Sequence, residues 1–344
     1  MSVTSGSPTP ANPQALRDLP SLKDAILCDI LAPTPPAPDL RAELQARQKT
    51  GFSFVSLTMS VDDDASPASV YSRLAQMRHE LSKQPDKIVI VDTVADIRAA
   101  KKANKLGLGF HFQGTEAVGR DLANVGAYYK LGVRWILMAH NSQNNVGTGC
   151  IEAEKNDLGL SAFGKDLIRE MNRVGMMVDC SHSGYRTTMD AMSTSTQPCI
   201  FSHSNARPLY DHPRNIRDDQ IKACAQTGGV IGINGVGAFI GEPRQVSVDT
   251  VVRHIDHIAD LVGPQHIALG LDYMTPAHVK VLIDFYHGDT MPKVGLAPEM
   301  PWGFLSPSDT PLLLSKLLAK GYSADVVRGI MGENFLRVAA AVWH

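Results

Sequence analysis

Short apolar runs rich in β-branched residues recur along this chain at the ends of longer helical stretches, and this alternation constrains the fold more than any other feature. Strands are expected near Ala25–Leu31, Phe52–Met59, Leu106–Gln113, Val133–His140, Met176–His182, Pro198–His203, Gly229–Asn234 and His266–Asp272, with Gly, Pro, Asn or Asp at most junctions. Eight strands interleaved with helices predict a single-domain α/β protein, a (β/α)8 TIM barrel, with a doubly wound open sheet as the alternative. A further apolar run, Lys87–Val91, reads as a short excursion ahead of a helix over Val94–Asn104. The clearest helix covers Ser161–Val174: Phe163, Leu167, Met171 and Val174 form one apolar stripe, Ser161 suits the N-cap and Gly175 the position after the last turn. The polar start predicts a flexible leader at 1–20 and the barrel at 21–344. Pro33–Pro38 and His287–Pro307 are expected as ordered loops over the barrel ends.

Composition removes several function classes. Lys and Arg number 33 against 35 Asp and Glu, so the chain lacks the broad basic surface that nucleic-acid binding requires. No segment approaches eighteen uninterrupted apolar residues, which argues against a membrane partner. Cys28, Cys150, Cys180, Cys199 and Cys224 are widely spaced, with no C-x-x-C pair, and read as reduced thiols of a cytoplasmic protein.

The expected strands end in residues able to do chemistry: Asp29, Gln113, His140, His182, His203, Asn234 and Asp272. In a barrel these ends converge on one mouth. One histidine at a strand end is usually a hydrogen-bonded rim residue, but three histidines with an aspartate and two amides point to a site. His182 and His203, on adjacent strands, are placed to approach one zinc ion, and Asp272 to orient or deprotonate a water. The loop His140–Asn145 either binds substrate or turns on its own backbone. Arg214 either clamps a carboxylate or pairs at the surface with Asp218 or Asp219. Asn334 is expected to cap the last helix.

At these residues a family resemblance emerges. Gly159-Leu160-Ser161-x-Phe163-Gly164, Arg169-Glu170-Met171-Asn172-Arg173-x-Gly175-Met176 and Val178-Asp179-x-Ser181-His182 resemble the renal (membrane) dipeptidase family of zinc amidohydrolases. The likeness continues through Ser202–Arg207, Asp211–Asn215, Gly228–Gly232 and Gly332–Arg337, from about Gly109 to Val338. The resemblance implies a (β/α)8 barrel, homodimers, and His182 and His203 as metal ligands. It also implies substrate contact by His140, a carboxylate clamp at Arg214 and catalysis by Asp272.

The departures from that pattern matter as much. Where the family has a strand-one His-x-Asp holding one zinc, this chain has Leu31 and Pro33, and where it has a bridging glutamate, this chain has Gln113. Without those carboxylates two divalent cations would face mainly neutral groups, so zero or one zinc per chain is expected. Strand alternation suggests that Asp29 and His111 face the lumen one layer deeper, as a second acid/base or ligand pair or as a buried hydrogen-bonded plug. If that register is off by one, Cys28 faces inward instead. The expected activity is hydrolysis of a C–N bond in a small carboxylate-bearing metabolite, with substrate contacts from His140, Arg214, Gln113 and Asn234. The alternatives are a metal-free ligand-binding protein and a metal-independent lyase or isomerase.

Overall fold

The computed structural model of the chain describes residues 15–62, 65–285 and 302–344. Among them nine strands run parallel: β1 (Cys28–Ala32), β2 (Phe54–Val61), β3 (Ile88–Ile90), β4 (Leu106–Gln113), β5 (Val133–Leu137), β6 (Met177–Asp179), β7 (Cys199–Ile200), β8 (Ile231–Ile233) and β9 (Ile267–Leu269). The ladder runs β1-β2-β4-β5-β6-β7, and a Phe201–Ile231 bridge carries it to the β8-β9 pair. The Asp272 N–H then donates to the Leu31 carbonyl at 3.1 Å, which returns β9 to β1. Eight strands thereby close into the expected barrel. The Lys87–Val91 excursion supplies the ninth, β3. Because β2 occupies one edge of β4 throughout, β3 pairs with Leu106–Leu108 on the other edge and leaves Phe110–Phe112 of that edge to β5.

Neighbouring strand residues belong to different apolar clusters, as a pleated barrel wall requires. Val55, Val178, Cys199, Ile267 and Leu269 pack beneath the helices. Phe54, Met177, Ile200 and Ala268 turn inward with Cys28, Ile30 and Trp135. Phe335, Leu336 and Val338 of the last helix, Asn334–Val342, join the inner cluster and plug the amino-terminal end of the barrel.

The helix over Ala162–Val174 forms as its pattern predicts: Ser161 Oγ accepts the Gly164 N–H at 3.0 Å, and Gly175 ends the helix with φ 83°. Asn334 does not cap the last helix. A π turn over Gly329–Glu333 runs into it, and Asn334 Nδ2 instead donates to the Pro264 and Ile267 carbonyls at 2.9 and 2.8 Å, tying the plug to β9. Packing also begins ahead of residue 21, since Leu16 and Leu19 are buried in the outer core. Pro36 leads directly into a helix over Ala37–Thr50, and most of the expected His287–Pro307 loop lies outside the described residues.

Four strands end three residues earlier than their sequence suggests. β5 stops at Leu137, β6 at Asp179, β7 at Ile200 and β9 at Leu269. His140, His182, His203 and Asp272 therefore sit on the first loop residues beyond the barrel wall.

Candidate active site

Above the apolar plug the lumen turns polar. The His111 ring lies with Nδ1 2.8 Å from Ser56 Oγ and Nε2 2.8 Å from Thr58 Oγ1, and stacks on Trp135 with centroids 5.3 Å apart. Burial pushes its pKa down to about 3, so the ring is neutral. Gln113 Nε2 donates to Thr58 Oγ1 at 3.1 Å. Asp29 does not join this layer. The β1 register shifts between Asp29 and Ala32, so Cys28 and Ile30 take the inward positions and Asp29 faces outward to Arg47 of the Ala37–Thr50 helix in a buried ion pair. Asp29 Oδ1 also accepts the N–H groups of Leu31 and Leu271, at 3.2 and 2.9 Å. Its use is to fasten β1 to β9, and no Asp29–His111 pair forms.

Among the described residues, the non-glycine residues with positive φ are Asn104, Asn141, His182 and Asp272. The last three, at 64°, 61° and 53°, all lie at the mouth. Left-handed backbone is uncommon outside glycine, with Asn, Asp and His among the residues that enter it most readily, and it concentrates where a side chain must be aimed. Here it breaks the strand ladders and turns His182 and Asp272 across the opening.

His182 Nε2 lies 2.8 Å from His203 Nε2. The outer nitrogens are also held: His182 Nδ1 lies 2.7 Å from Asn141 Oδ1, and His203 Nδ1 lies 2.7 Å from Ser202 Oγ. The His140 ring packs against His182 with centroids 4.4 Å apart. Burial, reinforced by the Arg214 charge, holds both His182 and His203 well below the usual imidazole range, so both are neutral.

The asparagines of the His140–Asn145 loop have different partners. Asn141 reaches the histidines, whereas Asn144 turns the loop, its Oδ1 accepting the Val146 and Gly147 N–H groups at 2.8 and 3.0 Å. Asp62 braces the same region by accepting the His140 and Glu116 N–H groups at 3.1 and 2.9 Å. Gly114, at φ 141°, is required beneath it, because a Cβ there would stand 2.0 Å from Asp62 Oδ1.

Asp272 Oδ2 accepts from Asn234 Nδ2 at 3.2 Å, and Asn234 Oδ1 accepts the Val236 N–H at 2.6 Å. Asn234 thus orients Asp272 through one of its two Nδ2 hydrogens. Burial pushes the Asp272 pKa up to about 6, against the opposing pull of Arg214 and Asn234.

Arg214 is not a surface residue: it is 2% exposed, while Asp218 pairs with His257 and Asp219 accepts from Tyr185. Its Nη2 donates to the His203 carbonyl at 3.3 Å and its guanidinium lies 5.2 Å over the Phe239 ring. Among the described residues, Nε and Nη1 meet no oxygen or nitrogen acceptor, and the Cys150 thiol lies beside the guanidinium. Arg214 lines a cavity of about 270 Å³ together with His182, Cys150, Arg207 and Arg217.

Asp179, which ends no expected strand, also sits in the lumen. Its Oδ1 accepts the Ser181 and Ser202 N–H groups at 2.9 and 3.0 Å, joining β6 to β7 beneath the histidine pair, and burial raises its pKa. The signal available was alternation, two residues on from inward-facing Met177.

The donor set does not fit two metal ions. Leu31 and Pro33 carry no side-chain donor, and Gln113 is a neutral amide already donating to Thr58. It fits one ion in its chemistry: two neutral imidazoles converge through Nε2, with both Nδ1 atoms anchored. Among the described residues no group of three or more His, Cys, Asp or Glu is arranged to hold a metal.

Two dipeptidases of Schizosaccharomyces pombe, both described as uncharacterised, resemble this chain. One is 39% identical over 213 residues, covering 61% of this chain and 47% of that protein; the other is 35% identical over 267 residues, covering 76% and 59%. The chain thus spans about half the length of these curated relatives. An amidohydrolase from Pseudomonas aeruginosa superposes with a TM-score of 0.83 at 30% identity, over 94% of this chain and 98% of that one. The family model for membrane dipeptidase, peptidase family M19, matches residues 43–287, and the chain belongs to that family.

Proposed function

We propose that this protein hydrolyses an amide or peptide-like C–N bond in a small molecule bearing a free carboxylate, with at most one metal ion. The observation that carries this reading is Arg214: a buried guanidinium whose Nε and Nη1 meet no oxygen or nitrogen acceptor among the described residues, beside His182 and near the Asp272 carboxylate. A guanidinium kept out of water with donors to spare suits a carboxylate, which it can bind bidentately. Asp272, held by Asn234, is placed as general base: it accepts a proton from the attacking water and returns it to the leaving nitrogen. The pKa of about 6 suits a group that must take up and release a proton near neutrality. His182 and His203 would hold the ion, which when bound supplies Lewis-acid polarisation. The free thiols, with Cys28, Cys180, Cys199 and Cys224 buried, support a reducing, cytoplasmic setting, and no described helix is long and apolar enough to cross a membrane.

The test is turnover of a panel of dipeptides and N-acyl amino acids beside their C-terminally amidated forms. Hydrolysis should require the free carboxylate, and Arg214→Met should raise KM about ten- to a hundredfold for the preferred substrate. Equal turnover of the amidated forms would overturn the assignment of Arg214, and binding without turnover across the panel would favour a ligand-binding protein.

A further inference from the structure

Arg214 shares its cavity with two further guanidiniums. The loops that follow β5, β6 and β7 enclose about 270 Å³, and Arg207 and Arg217 line that space together with Arg214. Arg217 is firmly placed: its guanidinium lies 4.7 Å over the Tyr185 ring, and the Tyr185 hydroxyl donates to Asp219 Oδ2 at 2.7 Å. Its partner is a carboxylate of the same chain, since Nη1 and Nη2 donate to Glu154 Oε1 and Oε2 at 3.3 and 2.7 Å. Arg217, with Arg207 and Arg186 acting at longer range, holds the Glu154 carboxyl below the usual range. Glu154 itself is lightly held. It opens a three-residue turn, Glu154–Asn156, in which every residue is exposed, and its side chain is 64% exposed against 36% for Arg217. An ion pair so open to water adds little to stability, so another carboxylate can replace Glu154 at small cost. Arg207 meets the exposed Asp211 Oδ1 at 2.6 Å through Nε, a bond that uses one of its five donors. Of the lining carboxylates, Asp157 is spent on the Gly159 and Arg186 N–H groups at 3.1 and 2.6 Å and Glu154 on Arg217, which leaves Glu152 to oppose an incoming anion.

We propose that this cavity takes a second carboxylate of the substrate, with Arg217 and Arg207 as specificity-determining residues and Glu154 as the carboxylate that the substrate displaces. The favoured substrates then release an acidic amino acid, whose main-chain carboxylate lies on Arg214 and whose side-chain carboxylate reaches Arg217 and Arg207. A guanidinium that already holds one carboxylate through two nitrogens has the geometry to hold another. Glu154 and Arg217 act in opposite directions, the first competing with the substrate and the second binding it. A bridge that merely fastened two loops would make them act alike. This inference rests on the carboxylate reading of Arg214 given above and adds to it the charge of the neighbouring side chain.

The experiment uses the full-length protein with the dipeptides Ala-Glu, Ala-Gln and Ala-Lys, which differ chiefly in the charge of the second side chain. For the wild type, kcat/KM for Ala-Glu should exceed that for Ala-Gln about tenfold, mainly through KM, with Ala-Lys lowest. Arg217→Met should bring the ratio of Ala-Glu to Ala-Gln close to one, whereas Glu154→Gln, which removes the competing carboxylate, should widen it. Parallel losses on all three peptides in both variants would overturn the subsite and assign the pair to loop fastening. Equal kcat/KM for Ala-Glu and Ala-Gln in the wild type would also overturn it, while leaving Arg214 to the comparison of free and amidated carboxylates. If none of the dipeptides is turned over, the hydrolytic reading falls, and calorimetric titration with the same three peptides decides the subsite. Tighter binding of Ala-Glu, lost in Arg217→Met, upholds it, and equal binding overturns it.

Discussion

Asp272 occupies left-handed backbone at φ 53°, a conformation that Asn adopts more readily than most residues, so Asp272→Asn changes the chemistry of the carboxylate with little strain. The variant should lose about two orders of magnitude or more in turnover, since it cannot accept the proton of the attacking water, and should keep a wild-type melting temperature. Normal turnover with a lowered melting point would reduce Asp272 to a structural anchor. His111 gives a different signature. Its folded pKa of about 3 lies below the 6.5 of a free imidazole, so between those values the unfolded chain binds one more proton than the folded one. That contribution to stability is present above pH 6.5 and is lost as the pH falls toward 3, with a slope of up to about 1.4 kcal/mol per pH unit. The buried carboxylates Asp29, Asp179 and Asp272, all raised, act in the opposite sense, so the comparison of interest is wild type against His111→Gln. Urea titrations across this range should show a shallower loss for the glutamine variant; parallel curves would mean that the ring is protonated in the folded protein.

Strand β1 is the element on which sequence and structure part most clearly. Alternation predicts its neighbours well wherever a strand is regular, and it places His111 in the lumen above the plug. In β1 the register shift between Asp29 and Ala32 resets the count, and no pattern of residue types announces such a shift. The long-range partner was equally hidden, because Arg47 lies in a helix whose polar face looks like any solvated one. The mouth residues were legible as types and positions, but their orientation depends on left-handed turns at Asn141, His182 and Asp272 that only the fold reveals. The Asp29–Arg47 pair carries an energetic consequence. Both partners are buried and Asp29 also holds the Leu31 and Leu271 N–H groups, so Arg47→Met leaves a carboxylate uncompensated where β9 meets β1. The cost should be about 3–5 kcal/mol in denaturant unfolding at neutral pH, and it should shrink on acidification as Asp29 becomes protonated. A variant as stable as wild type would mean that the backbone N–H groups alone satisfy Asp29.

For the molecule as a whole, the barrel separates what holds it together from what it does. At the amino-terminal end the last helix inserts Phe335 against Phe54 and Trp135, with ring centroids 5.8 and 5.6 Å apart, and Trp135 in turn carries the stacked His111 ring. This column reaches from the plug into the polar layer, so a void at its base has a physical route toward the mouth. The route is weak at its upper end, because His111 is also held from the side by Ser56 and Thr58, and the histidine pair above is held by Asn141, Ser202 and the Asp179 bracket across β6 and β7. Phe335→Ala should therefore cost about 3–5 kcal/mol of stability through the cavity it leaves, and should leave the imidazole 15N resonances of His182 and His203 unmoved. Denaturant unfolding and the imidazole 15N spectra of the same variant decide the point. Shifted resonances at full folding would show that the aromatic column, rather than the hydrogen bonds at the strand ends, sets the geometry of the mouth.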